Sequence, residues 1–256
     1  MRGQNFMTPI KKISFTNSRN ISLVGSFFDA ASDRGVVMAH GFYGDRTRHG
    51  RFDALGSALQ NRDIAALSFD FSGCGESGDD TIDIEKEVDD MHAAIAWLRA
   101  QGKTRIGLLG YSLGALIAAR VWSEDIRCLV LWAPVSRTKN DPRKGFSQEE
   151  LAELDAKGYI TKHLRSSSRS TVVIDKDYLP QRKAVDQKTL LENITSPVLI
   201  MHGDADEKQS IENSISAMQY LNQNSKLEII KGGKHDLTAH MKQYIDLSVG
   251  WFIRHL

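Results

Sequence analysis

Two cysteines, Cys74 and Cys128, are all that the 256 residues contain. They make neither a disulfide framework nor a thiolate metal site. The histidines and acids show no H-E-x-x-H or other ligand spacing, so no metal is expected. Charge of one sign is also missing, since 33 basic residues face 32 acidic ones for a formal net charge of +1. That balance predicts no commitment to nucleic acid or to an acidic membrane surface. No apolar run approaches the roughly 20 residues that cross a bilayer, so no membrane span is expected. The amino-terminal stretch MRGQNFMTPIKK lacks the apolar core of a signal peptide, which makes cytoplasmic residence the default expectation. Internal repeats and low-complexity segments are absent too.

What remains is an ordinary globular composition, 41% hydrophobic and 25% charged. The length fits one large α/β domain, residues 1–256, with a full core. Lys11–Thr16 and Ile21–Asp29 alternate apolar and polar residues across an Asn17-Ser18-Arg19-Asn20 turn, the pattern of an antiparallel hairpin. Val36–Ala39, Ile64–Phe69, Arg105–Leu109, Arg127–Trp132, Pro197–His202 and Lys226–Ile230 read as short strands, several of them continuously apolar. Between them lie helical stretches, notably Ile84–Arg99, Leu113–Trp122, Ile211–Leu221 and Leu237–Phe252, the last with Asp236 as its expected N-cap. Strands alternating with helices predict a mostly parallel, doubly wound sheet. The rhythm breaks only over residues 135–187, a basic and polar insert. Within it Ser147 and Glu150 form a capping box for a helix at Ser147–Lys157, and Ser170–Asp175 is β-like. Such an insert is a cap or lid candidate. Its apolar members Leu151, Leu154, Tyr159, Ile160 and Tyr178 are expected beneath it, over the mouth of a site, the alternative being that they only pack against the body.

The chain is organised around Gly110-Tyr111-Ser112-Leu113-Gly114, which joins a strand to an Ala-rich helix. G-x-S-x-G in that context is a nucleophile elbow. A sharp strand-to-helix turn strains the serine backbone and requires small residues close to it, a space that Gly110 and Gly114 provide. It lifts Ser112 Oγ clear of the sheet and points the Leu113 N–H, at a helix N-terminus, toward a developing oxyanion. A serine hydroxyl is a poor nucleophile until a base takes its proton and an acid holds that base. Asp204 and Asp206 follow one strand in HGDAD, and His235 follows the last in KGGKHD. Loops at the carboxyl ends of strands are where an open α/β sheet places its active site.

Four patterns together resemble the α/β-hydrolase superfamily, in its serine esterase, lipase and S33-peptidase branch. They are His40-Gly41-Phe42, Asp70-x-x-Gly73-x-Gly75-x-Ser77, Gly110-x-Ser112-x-Gly114, and His202-Gly203-x-x-Asp206 followed by His235. The layout is most similar to bacterial cinnamoyl (feruloyl) esterases and to monoacylglycerol-lipase-like enzymes. Many such esterases carry His-Ser-Gln-Gly-Gly at the elbow, where this chain has Tyr111-Ser112-Leu113-Gly114-Ala115.

The resemblance implies an α/β-hydrolase fold and a triad of Ser112, His235 and Asp206, with Phe42 and Leu113 donating backbone N–H groups to an oxyanion hole. The acid of H-G-x-x-D falls on Asp206, leaving Asp204 as a turn residue whose carboxylate bonds nearby backbone N–H groups. Asp70 to Ser77 and His202 are expected to be structural, and His240 to lie on the surface of the final helix. The implied activity is hydrolysis of a small-molecule carboxylic ester through an acyl-enzyme, without a cofactor. Thioesterase or peptidase chemistry with the same triad is the alternative, and a non-catalytic binding protein on this fold is the rival from another class. A homodimer is compatible with this reading.

Overall fold

The computed structural model describes residues 9–137, 141–164 and 169–256. The stretch read for a signal peptide lies mostly outside them, as do residues 138–140 and 165–168 of the insert.

Among the described residues, eight strands form the main sheet. In chain order they are β1 (Lys11–Thr16), β2 (Ser22–Phe28), β3 (Arg34–Ala39), β4 (Ala65–Phe69), β6 (Arg105–Tyr111), β7 (Ile126–Trp132), β10 (Val198–Gly203) and β11 (Lys226–Ile230). They lie side by side as β1-β2-β4-β3-β6-β7-β10-β11. The first three neighbours pair antiparallel and the rest parallel, so the amino-terminal hairpin extends an otherwise parallel sheet. A second, three-stranded sheet joins β5 (Thr81–Ile82), β9 (Thr171–Asp175) and β8 (Tyr159–His163).

The continuously apolar strands are explained by two cores. Val37, Leu108, Leu129 and Ile200 point to one face, against helices α2 (Ile84–Ala100) and α3 (Leu113–Arg120). Their neighbours Met38, Leu109, Val130 and Met201 point to the other, against α1 (Arg51–Gln60) and α8 (Met241–His255). Side chains alternate along a strand, so a strand covered on both faces must be apolar at every position.

The insert holds α4 (Gln148–Lys157), β8, β9 and α5 (Tyr178–Lys183); α6 (Gln187–Leu191) starts at its last residue, and α7 (Ile211–Ala217) follows β10. Both arms of the Ser147–Glu150 capping box are formed. The insert is tied to the body at several points. Thr81 pairs with Val173, the Thr81 hydroxyl donates to Asp175 at 2.6 Å, and the Ile84 N–H donates to Gln181 Oε1 at 2.7 Å.

The last helix starts later than the apolar spacing indicates. Asp236 does not cap it, because its carboxylate accepts from the Thr238 N–H and hydroxyl. Leu237 takes a left-handed φ of 63°, a 3-10 turn spans Thr238–His240, and α8 begins at Met241. His240 is therefore the residue before the helix rather than one on its surface, and it is half-buried.

Candidate active site

Strand β6 runs directly into Ser112, whose φ of 55° and ψ of −114° are strained for a residue with a side chain. Such a conformation costs on the order of 1–3 kcal/mol and persists only where the surroundings over-determine it. Here the Ser112 N–H donates to the Trp132 carbonyl at 2.9 Å, and its carbonyl accepts from Ala115 and Val135 N–H groups at 3.1 Å each. A Cβ on Gly110 would collide with the Gly114 backbone, and one on Gly114 with the carbonyls of His40 and Ala39. Both glycines of the elbow are thus required by close backbone approach.

The loops after β10 and β11 converge on the serine. They touch through their glycines, since a Cβ on Gly203 would run into the Gly233 backbone. His235 is buried with Nε2 3.0 Å from Ser112 Oγ and Nδ1 2.8 Å from Asp206 Oδ2. A carboxylate accepts, so Nδ1 carries the proton and Nε2 is left to accept from the serine hydroxyl.

Asp206 is the better-bonded of the two acids in HGDAD. Its Oδ1 accepts from the Lys208 and Gln209 N–H groups at 2.8 and 2.9 Å. Its Oδ2 accepts from His235 and also from His202 Nε2 at 3.1 Å. Burial alone would push its pKa up. Hydrogen bonds from His202, His235 and Gln209 outweigh burial and hold the carboxyl far below the ordinary range. Asp204 instead is exposed and accepts the Gly232 N–H at 2.6 Å, closing the gap between the two loops.

His202 is fully buried and satisfied. Its Nε2 lies between two acceptors, Asp206 and the Gln209 carbonyl at 3.0 Å, so it bears the proton, while Nδ1 accepts from the Ser214 hydroxyl at 2.6 Å. The expectation of a structural histidine therefore needs one addition, because the residue it holds is Asp206. Nothing in the sequence pattern signals that contact.

A cavity of about 380 Å³ opens over Ser112 and His235, lined also by Gly41, Phe42 and Leu113. The Leu113 N–H opens helix α3, where no intrahelical acceptor exists. From the insert, Val135, Tyr178 and Arg182 line this cavity, while Leu151, Leu154, Tyr159 and Ile160 do not. Leu154 and Ile160 are buried in the core instead. Tyr178 stacks on Phe42, with ring centres 4.4 Å apart and planes 4° from parallel. Tyr111 donates its hydroxyl to the His235 carbonyl at 2.8 Å and lies under the Arg51 guanidinium, 4.3 Å from the ring centre. Tyr111, Arg51 and Arg182 belong to the site and had no motif to announce them. Tyr111 alone carried a signal, its place beside Ser112.

The Asp70 motif is structural. Gly73 and Gly75 adopt left-handed φ values of 72° and 51°, and a Cβ on Gly75 would strike the Asp70 carboxyl group. Asp70 is fully buried, paired with Arg46, and accepts the Arg46 and Glu76 N–H groups at 2.7 and 2.9 Å. Among the described residues no cluster of three or more His, Cys, Asp or Glu could hold a metal, and no helix is long and apolar enough to cross a membrane.

The sequence model of the family described as "Alpha/beta hydrolase family" matches residues 36–247, and the chain belongs to that family. A curated relative from Synechocystis sp., named "Putative non-heme chloroperoxidase", is 24% identical over 89% of this chain and 93% of its own. Among solved structures, Est1E from Butyrivibrio proteoclasticus with ferulic acid bound superposes with a TM-score of 0.79. It is 19% identical and covers 95% of this chain and 98% of its own. The Pyrococcus furiosus esterase Pf2001 gives 0.74 at 21% identity, covering 96% and 93%. These similarities support a hydrolase and share its fold.

Proposed function

We propose that this hydrolase cleaves a carboxylic ester through an acyl-enzyme formed on Ser112. The supporting observation is the unbroken chain from Ser112 Oγ through His235 to Asp206, at 3.0 and 2.8 Å, on a strained elbow. His235 Nε2 takes the hydroxyl proton as Oγ attacks the carbonyl carbon, and returns it to the leaving alcohol. Asp206 holds the imidazole in the required tautomer and stabilises its positive form. The Phe42 and Leu113 N–H groups receive the oxyanion. Water then attacks the acyl-enzyme, with His235 again as base, and releases the acid. No cofactor enters these steps. The insert, residues 135–187, acts as a cap on this site through Tyr178 and Arg182.

A fluorophosphonate probe should add one organophosphonyl group to the peptide containing Ser112. Esters of differing acyl length, methyl ferulate and monoacylglycerols should then be hydrolysed in some order. Labelling without turnover of any ester, but with turnover of a thioester or peptide, would move the reading to those substrates. No labelling at Ser112 would overturn it in favour of a binding protein.

A further inference from the structure

Arg51 is a buried arginine with two of its nitrogens unanswered. It is 3% exposed, yet Nε and Nη1 have no hydrogen-bond partner among the described residues. An arginine carries five N–H donors and is almost never buried unpaired. The guanidinium lies over the face of Tyr111 and also interacts with its hydroxyl, which offsets part of the charge and leaves Nε and Nη1 unanswered. Asp236 is near enough to feel its charge, but Oδ1 accepts from Thr238 and neither Asp236 oxygen bonds Nε or Nη1 of Arg51. Arg51 lines the same cavity as Ser112 and His235. Leaving a buried donor unmade is costly, so an acceptor is expected there when the site is occupied.

The charge of the lining points to the kind of acceptor. Arg48, Arg51, Arg182 and Lys208 face the cavity, against the carboxylates of Asp45, Glu207 and Asp236. One positive charge is left over, which suits a monoanion better than a dianion. We propose that Arg51 seats a carboxylate carried by the substrate itself, so that this enzyme prefers esters of monoanionic compounds over neutral ones. This rests on the ester-hydrolase reading above. It adds the chemical class of the substrate and a residue that selects it.

Two matched pairs test it. Monomethyl glutarate against methyl pentanoate places the charge on the acyl side. 4-Carboxyphenyl acetate against 4-carbamoylphenyl acetate places it on the alcohol side. Each pair is run on wild type and on Arg51→Met, so intrinsic ester reactivity cancels in the comparison. In at least one pair the anionic-to-neutral ratio of kcat/KM should fall in the variant by roughly 10- to 100-fold, the worth of a hydrogen bond to a charged group. Ratios unchanged within twofold in both pairs would overturn the proposal. Arg51→Lys covers the case in which the methionine variant does not fold. Its ratio should also fall, by less, and an unchanged ratio counts equally against the proposal.

Calorimetric binding of glutarate, with glutaramide as the neutral control, needs no turnover. Glutarate binding that is lost in Arg51→Met while no ester is hydrolysed would sink the ester reading and leave the carboxylate seat standing. Hydrolysis of esters with glutarate binding untouched by the variant would do the reverse.

Discussion

Two buried carboxylates, Asp70 and Asp206, both follow a strand of the same sheet and have nearly opposite surroundings. Asp70 is answered by the Arg46 guanidinium and by backbone N–H groups, all of which hold their protons permanently. It anchors a turn and has nothing to exchange. Asp206 is answered by two histidines as well as by backbone. One of those histidines touches a serine in a strained turn, so a change of charge on the imidazole is felt at the proposed nucleophile. Burial and hydrogen bonding are similar at the two sites. The difference lies in whether the partner can change protonation state, which separates a structural anion from one suited to chemistry.

The largest effect expected from breaking this comparison is at its reacting end. Ser112→Ala should fold normally and lower kcat on any ester that the wild type cleaves by roughly 10⁴–10⁶, because members of such a unit do not act additively. The variant should take up no fluorophosphonate, as read by intact mass.

Next come the two acids of one loop. Asp206→Asn keeps the shape but leaves His235 without its counter-charge and favours the wrong tautomer, a loss of about 10⁴ in kcat by analogy with the serine-protease aspartate. Asp204→Asn keeps an acceptor for the Gly232 N–H and should stay within roughly tenfold of wild type. Steady-state kinetics on folded, purified variants distinguish the two. The reverse order would make Asp204 the acid.

How far these sites were legible before the fold was known depends on how local their causes are. The strands of the main sheet were readable from local pattern: the inner ones because a strand covered on both faces must be apolar throughout, as in Val198–Met201, and the amino-terminal pair because its residues alternate across a turn. The elbow was readable because Gly110 and Gly114 answer a steric demand within five residues. Asp204 and Asp206, two residues apart, were separable only through the H-G-x-x-D spacing. What stayed hidden depends on distant chain. Strand β5 is two residues long and exists because β9, some ninety positions away, pairs with it. Arg51 at a helix start looks like a solvated cation until Tyr111 is found beneath it. The underside of the insert was read from apolar character, but Leu154 and Ile160 use that character in the core and leave the cavity to Tyr178.

The structural member of the comparison should fail by unfolding. Asp70→Asn takes from Arg46 the buried one of its two carboxylate partners and leaves it only the more exposed Glu76, and removing one partner of a buried pair costs up to about 3–5 kcal/mol. For a chain of this size that is a fall of roughly 6–20 °C in Tm. Well below that temperature, kcat/KM should remain within about tenfold of wild type. A variant that keeps its Tm but loses turnover would place Asp70 on the chemical side of the comparison.

The smallest effect concerns a third carboxylate that has neither kind of partner. Glu87 on helix α2 is 2% exposed, and neither of its oxygens has a hydrogen-bond partner among the described residues. Burial first, then the nearby charges of Asp90 and Asp83, raise its pKa well above the usual value. In the unfolded chain a glutamate titrates near about 4.3. Between that pH and the raised folded value, the folded protein holds a proton that the unfolded chain has released. Stability from this group is therefore fully present below the unfolded value and declines as pH rises toward the folded one. Glu87→Met is similar in volume and has no polar atom to strand or proton to lose. It should stabilise the protein at pH 8 by about 1–3 kcal/mol, the cost of an unpaired buried polar group. At pH 4, where the wild-type carboxyl is already protonated when folded and largely so when unfolded, the gain should shrink. Thermal melts of both proteins across that range make the measurement, and taking their difference cancels every other titrating group. A difference that stays flat with pH would mean that Glu87 is not held neutral by its surroundings, and that burial alone does not distinguish it from Asp70 and Asp206.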